Sequence, residues 1–580
     1  MKNIEDIYPI SPMQELMLLH SLSGGGSDAL MDQAHYTLRG KIDVAAFKQS
    51  WQKIVGRHPA LRTAFFWEDL KQPMQVVRQD VELPFEEFDL RGLSGVEQQT
   101  RLDNYLRSDR TKGFRLSQAP LMRLVLFRMT TDESYFICSS HHLILDRWCI
   151  AIIHEELSRW SVAGASEKTR EHPTPYRKYI GWVQQQDIKK AKEFWTTMLA
   201  GFVKATALVS GSNGYVASAS DNNAVHETIQ LPKDTTKLLR ECARQSGLTL
   251  GTLFHGAWAL VLNEITGQRD VVFGITVAGR PPDLMGVESI VGSFINNLPV
   301  RVRHNPAKAL IEMLREIQAN QQRMRPFEYV SLAQVHQWSE LPENQTLFDT
   351  LLVQLADVED PRPGQNGLQM RAVSGLLRTA VPLTVAFTDT DPQISIQLIR
   401  NRGLAGTAEN SDLIQLLQNK LILLPGGLQQ RLGELTPKDR AVARTSQTLS
   451  RSKQTGPNRP TSSHSGKSNR VASTKKQRAP QDPWLEALEQ QIRTEWQEIL
   501  GTQGIDPDIS FFDLGGNSIQ AARLHNRLLT ITRKEIGLIQ LFISPTIKDM
   551  ALLLHNQSWP TCPEPVAALQ PKGSKPPLFV

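Results

Sequence analysis

The chain has 580 residues, 40% hydrophobic and 21% charged, a length and composition that exclude wholesale disorder and call for several cores. There is no apolar run long enough to cross a membrane. The start MKNIEDIYPISPMQ lacks the basic and apolar segments of a secretory signal, and the four cysteines (Cys138, Cys149, Cys242, Cys562) form no CxxC pair. These features argue against a disulfide scaffold, a cysteine zinc site or any other metal centre, and point to a cytoplasmic protein. The net charge of +6 is local: residues 438–478 hold eleven Lys or Arg and one acid, leaving about −4 for the remainder, so the charge is no argument for nucleic-acid binding.

In chain order, PLMRLVLFRM (120–129) and SYFICSSHH (134–142) read as adjacent strands joined by the turn TTDE. Residues 147–160 read as a helix with Ile153, Leu157 and Trp160 on one face. DVVFGITVAGR (270–280) reads as a buried strand ending in a glycine-containing loop, and PRPGQNG (361–367) as a loop. The mixture predicts α/β layering over residues 1–435, too large for one core, so two lobes are expected with a break near residues 165–190: 1–170 and 171–435. Residues 436–482 are rich in Ser, Thr, Pro, Gly and Lys without hydrophobic period and read as a basic solvated linker, with a polyanion-docking segment as the other reading. From 483 to 558 the pattern changes to a small all-α unit: 484–500 places Leu485, Leu488, Ile492, Trp496 and Ile499 at helical spacing. A second helix runs from Ser518 to Leu529 with Ile519, Ala522 and Leu528 inward, and a third starts near Ile547. Residues 559–580 form a proline-rich tail.

Two clusters carry chemistry. SHHLILDRW holds His141, His142 and Asp146 at a strand end before a helix. Neighbouring strand side chains point to opposite faces, so one imidazole can face a cavity while the other faces packing. A ring that titrates near neutrality can accept or hold the proton of an amine or hydroxyl nucleophile. Asp146 orders the turn, ideally by pairing with a buried arginine. A satisfied histidine pair with Asp146 as a helix N-cap accounts for the same residues. The second cluster is FFDLGGNSIQAARL, 511–524, where Gly515 and Gly516 permit a tight turn that leaves Ser518 at a helix N-terminus. A phosphodiester on Ser518 would meet the positive end of that helix. A plain N-cap is the simpler reading, and no GxSxG elbow makes Ser518 a hydrolase nucleophile.

DLGGNS together with LFISPTIKDMA (541–551) resembles the peptidyl carrier proteins of nonribosomal peptide synthetases. The large region resembles their condensation domains through YPISPMQELMLLHSL (8–22), RHPALRTAF (57–65), SHHLILDRW, YRKYIGW (176–182), TVAGRP (276–281), VGSFINNLPVRV (291–302), RPFEYVSL (325–332) and TLFDTLLV (346–353). The resemblance implies a fold of two chloramphenicol-acetyltransferase-like lobes in a V, with the histidine motif at their junction, plus a four-helix-bundle carrier. It implies phosphopantetheine attached to Ser518 by a phosphopantetheinyl transferase. It also implies His142 as the catalytic histidine, His141 as mostly structural, and Asp146 as structural through a salt bridge to Arg62. Asn296 and Asn297 would shape a substrate tunnel.

Two departures stand out. Arg147 replaces the family's glycine after the aspartate. It can swing outward, narrow a tunnel, or bind a substrate carboxylate. No adenylation domain stands between the condensation and carrier segments, so a separate adenylation enzyme would load the carrier in trans, and an upstream carrier protein would bring the donor. The tail's KPPLFV resembles the start of a thioesterase domain. The expected function is acyl transfer that forms an amide, or an ester, between the donor and an acceptor on Ser518's arm. The rivals are a silent docking platform and an acyltransferase acting on a soluble amine or alcohol.

Overall fold

The computed structural model describes residues 3–22, 30–160, 173–206, 208, 225–342, 345–355, 369–373, 379, 381–400, 410–435, 483–511, 513–514, 518–532 and 546–556. The linker 436–482, the loop 361–367, the segment 541–545 and the tail lie outside them, and the chain divides into two compact units, residues 1–467 and 468–580.

The first unit begins with β1 (Asp6–Pro9), α1 (Pro12–Leu22), β2 (Met31–Arg39), α2 (Val44–Arg57), β3 (Thr63–Phe66), β4 (Met74–Val77), β5 (Phe85–Asp89) and α3 (Gly95–Lys112), followed by β6 (Met122–Arg128), β7 (Glu133–His141) and α4 (Arg147–Trp160). The expected 120s–130s hairpin is present: β6 and β7 pair antiparallel from Met122↔Ser140 to Arg128↔Ser134. β7 is buried on both faces because helices cover both. On one face Phe136 meets Trp51 and Phe47 of α2, at ring distances of 5.7 and 5.1 Å. On the other, Ile137 joins Val125, Phe127, Leu90 and Leu102 beneath α3. The predicted helix at 147–160 is α4, with Ile153 and Leu157 buried; the side chain of Trp160 lies outside the described set.

The second lobe continues through α5 (Arg177–Gln184), α6 (Ile188–Leu199), β8 (Val225–Gln230), α7 (Lys233–Ser246), α8 (Leu250–Thr266), β9 (Asp270–Val277), β10 (Asn296–Arg303), α9 (Leu310–Met324), α10 (Leu332–Gln337), β11 (Thr350–Leu355), β12 (Gln369–Val373), β13 (Leu383–Asp389), β14 (Ile394–Arg400) and α11 (Asn410–Gly427). Its six-stranded sheet runs β10-β9-β11-β13-β14-β8. The apolar α8 is buried nearly all round, between α9 and α11 and the sheet, where Phe254 stacks on Phe387 at 3.8 Å.

A single cut in the chain does not separate the two sheets. β12, far along the second lobe's sequence, pairs antiparallel with β2 and completes the first lobe's sheet in the order β12-β2-β7-β6-β5. A contiguous division into 1–170 and 171–435 therefore misassigns residues 369–373, because an edge strand is allotted by its hydrogen-bonding partner and not by sequence position.

The second unit has its own core. We name its helices α12 (Pro483–Leu500), α13 (Ser518–Thr532) and α14 (Ile547–Asn556). Leu488, Ile492, Trp496, Phe511, Leu524, Leu528, Met550 and Leu554 form one apolar cluster. Trp496 and Phe511 meet edge to face at 4.9 Å. The side chains of Ile519 and Ala522 lie outside the described set, and the inward residues seen on α13 are Ala521, Leu524 and Leu528.

Glu156 on α4 receives Arg57 at 3.1 Å and meets the buried His58 at 2.9 Å, tying α4 to the end of α2. Burial raises the Glu156 carboxyl's pKa, but the bonds and charges of His58 and Arg57 outweigh this and hold it below the usual range. A depressed carboxylate adds stability above its unfolded pKa, and that stability is lost as pH falls through the folded value. Glu156→Gln should therefore cost about 2 kcal/mol in denaturant unfolding at pH 7. The difference from wild type should shrink as pH falls below roughly 4.

Candidate active site at the lobe junction

β7 ends at His141, opposite Met31 of β2. The ladder extends one residue further, because the His142 N–H donates to Leu30 O at 2.9 Å. The two imidazoles therefore leave the backbone on opposite faces. His141 is fully buried, on the face that carries Ile137 and Ser139. The Leu143 N–H donates to its Nδ1 at 3.2 Å, so its proton resides on Nε2, which is enclosed without a partner. Burial, and then the neighbouring His142, push its pKa down to about 3, which keeps the ring neutral. His142 is partly exposed. Its Nδ1 is enclosed and unpartnered, which leaves Nε2 as the nitrogen open to a reactant.

Five residues on from His141 the chain turns into α4, and Asp146 governs the turn. Asp146 is 1% exposed, and its Oδ1 accepts the Cys149 N–H at 3.1 Å, an N-cap bond that starts the helix. The same carboxylate reaches across to the second lobe. Arg280 donates to it at 3.3 Å, and the Phe294 N–H donates to its Oδ2 at 3.1 Å. Arg280 also donates to Val287 O and Ile290 O, at 2.6 and 2.9 Å, and lies 4.1 Å over the Phe294 ring. Cys149 Sγ lies 3.1 Å from both Asp146 Oδ1 and Gly292 O and accepts the Gly292 N–H at 3.3 Å. Trp148 Nε1 donates to Glu288 O at 2.9 Å. Residues 146–149 thus dock on one second-lobe segment, 280–294.

The expected Asp146–Arg62 pair is not formed. The guanidinium of Arg62 is already used by Glu5 (2.6 Å), Val55 O (3.1 Å), Gln79 O (3.2 Å) and Arg78 O, joining the start of the chain to the strands around it. Its Nε and Nη1 are engaged there, and the aspartate's cation comes from the other lobe instead. Arg147 does not support the turn either: it is exposed and makes no hydrogen bond or ion pair with a described residue. Asn296 is buried and donates to Glu328 O (2.8 Å) and Val330 O (2.6 Å), while Asn297 Oδ1 accepts from Thr276 Oγ1 at 2.8 Å. These bonds brace the second-lobe sheet. An open groove of about 730 Å³ between α6, β10 and α9 contains none of these residues.

Sequence reasoning missed Arg280, Cys149 and Tyr176 as partners of this turn. The signal for Arg280 is the glycine before it. Gly279 has φ +62°, and a Cβ there would stand 1.8 Å from Phe294 O, so only glycine lets the strand end fold onto residue 294. At Gly292 a Cβ would lie 2.1 Å from the Tyr176 ring, and the Tyr176 hydroxyl donates to Ser293 O.

In the second unit Ser518 is the first residue of the fifteen-residue α13; Gly515, Gly516 and Asn517 lie outside the described residues. Arg527 holds α13 to α12 through Glu495 and Glu498, at 2.8 and 2.7 Å. A serine that opens a helix fits a phosphodiester-linked group, because the helix presents free N–H donors and positive charge there.

Residues 4–396 match the family described as Condensation domain. The chain belongs to the condensation-domain family. Residues 490–554 match the phosphopantetheine attachment site family, so the second unit is a carrier domain whose prosthetic group is phosphopantetheine on Ser518. A linear gramicidin synthase protein of Brevibacillus parabrevis is 40% identical over 391 residues, 66% of this chain and 5% of that protein. Tyrocidine synthase 2 of the same organism is 31% identical over 406 residues, 70% of this chain and 11% of that protein. The chain thus spans a small fraction of the relatives it matches. Among solved structures, the starter condensation domain of rhizomide synthetase superposes with a TM-score of 0.62 at 18% identity, covering 74% of this chain and 96% of that one. The X-domain from teicoplanin biosynthesis gives 0.61 at 20%, covering 73% and 96%. Both share the two-lobed fold of this condensation domain.

The cross-lobe pair can be tested by double-mutant cycles in equilibrium unfolding. Asp146→Asn with Arg280→Gln should show a coupling of about 1–3 kcal/mol, whereas Asp146→Asn with Arg62→Gln should add within about 0.5 kcal/mol.

Proposed function

We propose that the chain is an adenylation-free condensation–carrier didomain, forming an amide or an ester between an acyl thioester on an upstream carrier protein and an acceptor held on its own carrier domain. When bound, phosphopantetheine supplies a thiol on which that acceptor is held as a thioester. A separate adenylation enzyme would load it in trans, since only residues 397–489 lie between the condensation and carrier matches.

The observation that carries the reading is His142: partly exposed, with Nδ1 enclosed, on a turn locked to both lobes. In our reading His142 Nε2 orients the attacking amine and takes the proton it releases, as the new C–N bond forms, the thioester C–S bond breaks and the donor's arm leaves as a thiolate, to which that proton is passed. His141, buried and held neutral, keeps the turn in register and puts no second positive charge beside His142. Asp146 fixes the turn through Arg280. Most of the acceleration would come from holding two reactants at attack distance, up to about 7–11 kcal/mol in ideal cases. That Arg147 is exposed favours this reading over a silent platform, because a side chain that reaches solvent is not packed wholly into the turn.

A single-turnover assay with a loaded donor carrier and the loaded chain tests the proposal. Wild type should form the condensed product, and His142→Ala should slow it by about 10²–10⁴-fold. Ser518→Ala should abolish product on the carrier. No product from wild type with any acceptor would make the chain a platform, and undiminished turnover of a free amine by Ser518→Ala would make it a soluble acyltransferase.

A further inference from the structure

The turn's contacts with the second lobe are not all charged. Besides Asp146, the Cys149 thiol bridges the lobes, and it does so with its whole bonding capacity. Sγ lies 3.1 Å from Gly292 O and 3.1 Å from Asp146 Oδ1, so its one S–H is shared between a second-lobe carbonyl and the turn's own carboxylate. Its lone pair accepts the Gly292 N–H at 3.3 Å, and Arg280 Nη2 approaches to 3.6 Å. Cys149 is fully buried. Burial, and then the Asp146 charge, raise its thiol well above the usual range, so it remains an S–H donor. The Tyr176 ring packs directly on Gly292, where a Cβ would overlap it, and the Tyr176 hydroxyl donates to Ser293 O, so the far side of the glycine is backed by a fixed ring.

Resting on the condensation reading above, we propose that Cys149 is a positioning residue: its thiol sets the spacing between the His142 turn and the second-lobe strand entry at Gly292, so that lobe separation is relayed to the catalytic imidazole. The role follows from geometry: one atom both donates towards Gly292 O and accepts the Gly292 N–H, so the turn and the second-lobe segment are held in register at a single residue. Asp146 and Arg280 supply the strong clamp, and the thiol fixes where along the segment that clamp closes.

The test uses the full chain with Cys149→Ala, Cys149→Ser and, as a control, Cys242→Ala, whose thiol lies in α7. Cys149→Ala should lower the single-turnover rate at saturating donor by about 10- to 100-fold with the half-saturating donor concentration unchanged. It should also speed amide hydrogen exchange at Gly292 and Phe294 by at least about threefold, with the helices of both lobes unaffected. Cys149→Ser, which keeps a donor and an acceptor at the same branch, should recover most of the rate and the exchange protection, and Cys242→Ala should match wild type in both. Wild-type rate and exchange in Cys149→Ala, or a serine variant as impaired as the alanine one, would overturn the proposal. If wild type itself forms no product, the condensation reading fails and the exchange comparison alone decides the role of Cys149.

Discussion

One buried carboxylate holds the junction of the two lobes together. Asp146 is removed from water, and a charge so placed is tolerated only where donors surround it. Its donors come from two directions: the first turn of α4, through the Cys149 N–H, and the second lobe, through Arg280 and the Phe294 N–H. Neither lobe alone satisfies it. The conformation of the turn and the docking of the lobes are therefore one equilibrium, and losing either partner would leave an uncompensated charge in the junction.

That constraint gives the two histidines their different properties. Because β7 runs straight into the turn, His141 and His142 inherit the alternation of the strand. His141 is sealed into the face covered by α3, and desolvation strips it of its positive charge. His142 falls on the other side, at the last rung of the ladder. The two rings thus stand on opposite faces of one backbone segment, His141 enclosed and uncharged and His142 partly exposed. The carrier domain solves a simpler problem: an apolar cluster around Trp496 and Phe511 fixes α13, and with it the position of Ser518 at a helix start.

Much of this was legible in the chain. The β6–β7 hairpin, α4 over 147–160 and the carrier helices follow from local pattern, since alternation, helical periodicity and a four-residue turn are properties of neighbours in sequence. Opposite exposure of His141 and His142 follows from the same alternation. The partner of Asp146 does not. The resemblance pointed to Arg62 and gave no hint of Arg280; in the structure Glu5 and the carbonyls of Val55, Arg78 and Gln79 engage Arg62, and Arg280 meets the aspartate. For Asn296 and Asn297, expected to shape a tunnel, the bonds that brace Glu328, Val330 and Thr276 were likewise not readable from local pattern.

By itself the sequence determined the family, the carrier serine, the strand-to-helix turn and the identity of its histidines, because these depend on residue type at short spacing. The tertiary structure decided which cation meets Asp146, that β12 crosses to the other lobe's sheet, and that Cys149 touches Gly292, 143 positions away. Those pairings depend on which donors remain free once two lobes close on each other, and nothing in local spacing records that competition.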